Sequence, residues 1–241
     1  MSAITITNLT KKYGALTAVD NLNLTIDKGE LFALLGMNGA GKTTTIKMLS
    51  CLIKPTYGDA VLLGDSINGN SNAVKQKSNM SPQETAVAPN LTVLENLELI
   101  AGIYGQNAET SRKSAKEMSS QFGLYDVLSK KAKTLSGGMQ RRLSIAMALI
   151  SNPQILFLDE PTLGLDVLAR RKLWASIKQL KNKVTIILTT HYLEEVEALS
   201  DRIGVMTKGN LTAVGTMAEL TAQMGTANLE DAFVALSGDE L

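Results

Sequence analysis

Five consecutive apolar residues, Leu31–Leu35, run straight into Gly36-Met37-Asn38-Gly39-Ala40-Gly41-Lys42-Thr43, and a helix-compatible stretch, Thr44–Leu52, follows at once. A strand that is apolar at every position has to be covered on both faces, which is the habit of parallel sheets flanked by helices. The loop after it fits G-x-x-x-x-G-K-[ST]. Its glycines let the backbone curl so that successive N–H groups point inward, and the following helix adds the positive end of its dipole. A polyphosphate fits such a cradle. The candidate contacts are Gly36, Met37, Asn38, Gly39, Ala40, Gly41, Lys42, Thr43 and Thr44. Lys42 is placed to reach the β- and γ-phosphates of ATP, and the Thr43 hydroxyl to ligate Mg²⁺. A glycine-rich turn with an incidental lysine is the bland alternative, and the strand before and helix after the loop weigh against it.

Other apolar runs extend the pattern. Ile155–Leu158, Val184–Leu188 and Ile203–Met206 read as buried strands, and Ala60–Leu63 is placed with them. Ile4 and Ile6 alternate with threonines, as Leu22, Leu24 and Ile26 do with polar residues, in the period of two of a half-exposed strand. Buried strands separated by helices predict an α/β fold with a mainly parallel sheet. Between Pro89 and Thr134 the texture changes: Thr92–Tyr104 and Glu109–Phe122 carry helical spacing with no strand-like run between them, as in a helical insertion. Met217–Met224 and Leu229–Leu236 read as two short helices split by Gly225-Thr226.

Ile155–Leu158 ends in Asp159-Glu160, and ligand sites form at the carboxyl ends of parallel strands. Asp159 suits Mg²⁺, held through water, and Glu160 can take a proton from an attacking water. Alone, the pair reads as solvated charges at a strand end; beside the phosphate loop it reads as hydrolysis. Ser136-Gly137-Gly138 precedes the helical stretch Arg141–Ile150. Ser136 is a good N-cap, and the glycines leave backbone N–H groups at a helix start, a second anion-binding device.

Composition narrows the classes. The 241 residues include 24 basic and 23 acidic side chains, a formal net charge of +1 that argues against a nucleic-acid partner. Cys51 is the single cysteine, so no intrachain disulfide forms and a reducing cytoplasm is expected. It is read as a small core hydrophobe on a helix. The N-terminus does not resemble a signal peptide, and no apolar run is long enough to span a bilayer, so any membrane role is expected to act through another chain.

Leu135-Ser136-Gly137-Gly138-Met139-Gln140, lying between the phosphate loop and the Asp159-Glu160 strand, resembles the signature motif of ABC-type ATPases. Tyr13 is similar to that family's adenine-stacking aromatic residue. Gln83, in Ser81-Pro82-Gln83-Glu84, resembles the Q-loop glutamine, and Gly164-Leu165-Asp166 the D-loop. His191, the one histidine, resembles the switch histidine. All stand in the family's order across residues 4–215. Leu163 and Val167 depart from its commonest pattern and resemble export subunits of the drug and antibiotic resistance (ABC-2) type, as does the ending Leu229-Glu230-Asp231-Ala232-Phe233.

The resemblance implies a P-loop NTPase (RecA-like) core with a mainly parallel sheet, an N-terminal antiparallel β subdomain and an inserted α-helical subdomain. Within a single ATPase domain spanning 1–241, residues 1–83 and 136–215 would form the core with its β subdomain, 84–135 the insertion and 216–241 a helical tail. It implies ATP and Mg²⁺, catalytic roles for Glu160, His191 and Gln83, and metal contacts from Thr43, Gln83 and Asp159. Tyr13, Ser136, Gly137, Gly138, Gln140 and Asp166 would join the phosphate loop around the nucleotide. It also implies a homodimer with two ATP molecules between its subunits, seated on the inner face of the cell membrane against separate membrane-spanning chains that export a drug, peptide or lipid-like substrate. The rivals are a soluble ABC ATPase working on a cofactor-assembly scaffold and a regulatory module that no longer hydrolyses; Glu160 and His191 argue against the second.

Overall fold

The first strands pair into a long antiparallel hairpin, β1 (Ser2–Tyr13) with β2 (Leu16–Asp27), in the computed structural model, which describes residues 1–237. β3 (Leu31–Leu35) leads through the glycine loop into α1 (Lys42–Leu49). β4 (Tyr57–Leu62) and β5 (Asp65–Ser66) return to the hairpin, giving a four-stranded antiparallel sheet of order β2-β1-β4-β5. α2 (Ser71–Lys77) and β6 (Ser78–Ser81) follow, then α3 (Val93–Ile103) and α4 (Ala108–Gln121). The chain continues through α5 (Gly137–Leu149), β7 (Ile155–Asp159), α6 (Val167–Lys178), β8 (Thr185–Thr190) and α7 (Leu193–Leu199). β9 (Arg202–Thr207), β10 (Asn210–Gly215), α8 (Met217–Met224) and α9 (Leu229–Ser237) close the described residues. The last four residues of the expected 216–241 tail lie outside them.

The second sheet has the order β10-β9-β3-β8-β7-β6, and its strands run parallel except β10, which is antiparallel to β9. The mainly parallel core expected from the apolar runs is present. Successive side chains of a strand point to opposite faces. Leu31, Ala33 and Leu35 of β3 therefore belong to the apolar cluster that includes α5 and α7, while Phe32 and Leu34 belong to the one that includes α1 and the antiparallel sheet. Both faces are covered, so every position of β3, β7 and β8 is buried.

Ala60–Leu63 is a correction. It lies in the antiparallel sheet, where Ala60 and Leu62 face the core, Val61 is exposed, and Leu63 has already turned left-handed after the strand. Cys51 is a second: α1 ends at Leu49, and Cys51 sits half-buried past the helix with φ 58. β6 was not foreseen, because Ser78-Asn79-Met80-Ser81 has no apolar run. Its Ser81 hydroxyl is buried against that of Ser144 on α5 at 3.0 Å.

Candidate active site

Register places the site. Leu35 of β3 pairs with Thr190 of β8, and Thr189 of β8 pairs with Asp159 of β7. The three strands therefore end side by side, and the glycine loop, Glu160 and His191 leave the sheet at the same edge.

Glycine is required twice in the loop. A Cβ on Gly36 would stand 2.4 Å from the carbonyl oxygen of Met206, and one on Gly41, whose φ is 102°, would stand 2.5 Å from that of Ala18. Lys42 opens α1, and its Nζ donates to the carbonyls of Gly36 at 2.7 Å and Met37 at 3.2 Å. The same nitrogen lies 3.3 Å from Oε1 of Glu160, with the two side chains 5% and 6% exposed. Each charge offsets the desolvation of the other, and removing either would leave its partner buried and unpaired.

The Thr43 hydroxyl donates to Oδ1 of Asp159 at 2.9 Å, and the Thr189 hydroxyl donates to the same oxygen at 2.6 Å. Glu160 takes a left-handed φ of 47°. Its N–H donates to both the carbonyl and the hydroxyl oxygen of Thr189, at 3.1 and 3.0 Å. Its Oε2 lies 2.8 Å from Nδ1 of His191, within ion-pair reach, although neither atom has the alignment of a hydrogen bond.

These groups meet in a cavity of about 480 Å³ whose lining includes Tyr13, Asn38 to Thr44, Gln83, Glu160, Leu163 and His191. That volume is the size of a small-molecule site. Tyr13 stands at its rim, half exposed, with Nζ of Lys11 5.0 Å from the ring centre. Gly36 and Met37, which open the loop, are not part of this lining and contribute carbonyls to Lys42, and Asp159 is buried against the Thr43 hydroxyl. No group of three acidic, histidine or cysteine side chains gathers as a metal site among the described residues. The Thr43 hydroxyl and the Asp159 carboxylate nevertheless present hard oxygens together, which suits Mg²⁺ shared with phosphate rather than caged by protein.

The remaining predicted residues do not line this cavity. Ser136 caps α5, accepting from the N–H of Met139 at 3.3 Å, and Nε2 of Gln140 donates to the carbonyl of Leu135 at 3.2 Å. Asp166 caps α6, accepting from the N–H of Ala169 at 2.8 Å. A Cβ on Gly138 would stand 2.9 Å from that of Ala169, so the two helix starts adjoin. Leu163, Val167 and Leu168 beside them are 41%, 60% and 70% exposed.

Arg141 escaped the sequence reading. It is buried on α5, and its guanidinium donates to the carbonyls of Pro82, Gln83, Asp159 and Pro161. The available signal was its place at helical spacing with Ile145 and Ala148, a charge on an apolar face. Burial lowers its pKa to about 10, so it stays charged near neutrality. Glu195 was also missed. Burial pushes its carboxyl up, while its Oε1 accepts from the indole N–H of Trp174 at 3.2 Å.

A glycine loop between a central parallel strand and a helix, with a buried lysine and an acidic strand end beside it, defines a P-loop nucleotide-binding protein. Residues 19–163 match the family profile described as ABC transporter. The chain is 40% identical over 237 residues to the probable multidrug ABC transporter ATP-binding protein YbhF of Escherichia coli (strain K12), covering 96% of this chain and 41% of that protein. It therefore spans less than half the length of that relative. It is 41% identical over 219 residues to the linearmycin resistance ATP-binding protein LnrL of Bacillus subtilis (strain 168), covering 90% of this chain and 70% of LnrL. Among solved structures, the dimeric post-hydrolysis state of the ATP-binding cassette MJ0796 bound to ADP and Pi matches with a TM-score of 0.80 at 30% identity, over 88% of this chain and 98% of that one. The chain belongs to the ABC transporter family and carries its ATP-binding cassette fold.

Proposed function

We propose that this chain is the ATP-hydrolysing subunit of an exporter, pairing with a second copy around two ATP molecules and driving separate membrane-spanning chains. The observation that carries the reading is the division of the predicted residues into two groups. One group lines the cavity, and Ser136, Gly137, Gly138 and Asp166 form the other outside that lining, near the exposed Val167 and Leu168. A two-fold dimer would bring the second group of one subunit over the cavity of the other.

Within each site Tyr13 stacks on adenine, and the N–H groups of the loop with Lys42 bind the β- and γ-phosphates. Phosphate oxygens take the place of Glu160 and the loop carbonyls at Nζ of Lys42. Glu160 is then free to orient or deprotonate the attacking water, with His191 on the γ-phosphate and Gln83 at the cavity wall. Mg²⁺, held by Thr43, by Gln83 and through water by Asp159, would neutralise charge on the phosphates.

The core is assigned to 1–83 and 136–215, and the insertion, 84–135, is the part that faces the membrane partner. Leu99 and Ile103, exposed on α3, and Tyr104, exposed just past its end, support that placement. No helix among the described residues is long and apolar enough to cross a membrane. The partner would supply the crossing and hold this chain at its cytoplasmic face. The descriptions of YbhF and LnrL as multidrug and linearmycin-resistance proteins favour export of a drug, peptide or lipid-like molecule. The balanced charge leaves nucleic acid out of the reading.

Glu160→Gln tests the assignment. It keeps ATP affinity and lowers kcat at least about 100-fold, as loss of a general base does. Turnover near that of the unaltered chain in a phosphate-release assay overturns the role of Glu160.

A further inference from the structure

Arg141 is 4% exposed, and all the acceptors of its hydrogen bonds are backbone carbonyls. Nη1 donates to Pro82 and, at 3.1 Å, to Gln83; Nη2 donates to Asp159 at 2.6 Å and Nε to Pro161 at 2.8 Å. Burying a guanidinium with no carboxylate on its fork is costly, and an apolar side chain in its place would take these donors from the four carbonyls. The identity of the four carbonyls accounts for it. Those of Asp159 and Pro161 flank Glu160, the residue held at a left-handed φ of 47°. Those of Pro82 and Gln83 belong to the segment whose Gln83 side chain walls the cavity. One planar fork therefore ties together three stretches far apart in sequence: the first turns of α5, the Gln83 segment and the turn at Glu160.

We infer that Arg141 is a positioning residue, which holds the Glu160 carboxylate toward the phosphate loop and transmits any displacement of the Gln83 segment to it. The inference rests on the role proposed for Glu160. Lysine keeps the charge but offers a single ammonium head in place of a planar fork, so it cannot span both pairs of carbonyls.

The test measures ATP hydrolysis by the full chain carrying Arg141→Lys, alone and combined with Glu160→Gln. The expected result is a kcat at least about tenfold lower with KM for ATP within about threefold, and no further loss when the change is added to Glu160→Gln, because the two act as a unit. An unchanged kcat, a loss confined to KM, or an equal further loss on the Glu160→Gln background overturns the inference. Should Arg141→Lys fail to fold by circular dichroism, Arg141→Gln is measured in the same way. Loss of fold in both variants makes Arg141 a structural prop and also overturns it. Full turnover in Glu160→Gln alone strikes the assignment of Glu160 instead, so the two failures are told apart.

Discussion

The side chains of Lys42, Thr43 and Asp159 are each fixed by a partner from another part of the chain. Lys42 is held by Gly36, Met37 and Glu160, Thr43 by Asp159, and Asp159 by Thr189. Phosphoryl transfer depends mostly on positioning and charge neutralisation, so groups oriented in advance are what the chemistry requires. The left-handed turn at Glu160 costs about 1–2 kcal/mol against the right-handed form, which its paired N–H and the flanking carbonyls offset. Tyr13 is the contrast. Its ring stands at the cavity rim, 49% exposed, with Nζ of Lys11 over one face and no hydrogen-bonded partner holding it among the described residues. Base–aromatic stacking contributes about 1–3 kcal/mol, so Tyr13→Ala should weaken ATP roughly 5- to 150-fold. Inorganic phosphate, which has no base to stack, should bind as before. Calorimetric titration with both ligands decides it, and equal losses would remove Tyr13 from the adenine site.

At the scale of elements, α3 shows local chemistry and tertiary packing in agreement. Thr92 accepts from the N–H of Glu95 at 3.1 Å, and the Glu95 carboxylate accepts from the N–H of Thr92 at 2.7 Å, a reciprocal capping box. Val93, Leu97 and Ala101 then turn one side of the helix into the core. Thr92→Ala should cost about 1 kcal/mol, and thermal unfolding followed by circular dichroism should show a midpoint lower by about 2–4 °C. An unchanged midpoint would mean the box contributes nothing measurable. This helix was legible in sequence to within a residue at each end, Thr92–Tyr104 against Val93–Ile103, because its spacing is local. β3, β7 and β8 were legible because cover on both faces leaves an unbroken apolar run. β6 was not, since its buried serines are satisfied by Val74 and Ser144 rather than by apolar neighbours. Ala60–Leu63 misled because Val61, apolar but exposed, completed a run that only alternate positions needed. Most residues placed in the cavity were legible as motifs. Arg141 was not, because its partners are main-chain carbonyls brought together only by the fold, and no side-chain pattern announces them.

At the scale of the whole molecule, the residues proposed to meet nucleotide fall into two groups, only one of which lines the cavity. The cavity is lined by Tyr13, the glycine loop, Gln83, Glu160 and His191, while Ser136 and Gly137 are exposed at the start of α5, against the start of α6. A second subunit facing the first through a two-fold axis would complete both sites with identical contacts, and would bury Leu163, Val167 and Leu168, which solvent now meets. ATP is then the adhesive, and its hydrolysis removes the adhesive. Association should therefore be transient in the unaltered chain and persistent where turnover is blocked, since a ligand shared by two protomers favours the dimer by mass action. The Glu160→Gln chain with saturating ATP and Mg²⁺ should double its mass by light scattering and return to the monomer when ATP is replaced by ADP. A monomer at saturating ATP would mean that the α5 start does not close the cavity of a partner, and the shared-site arrangement would fall while the ATP-binding half of the reading stood.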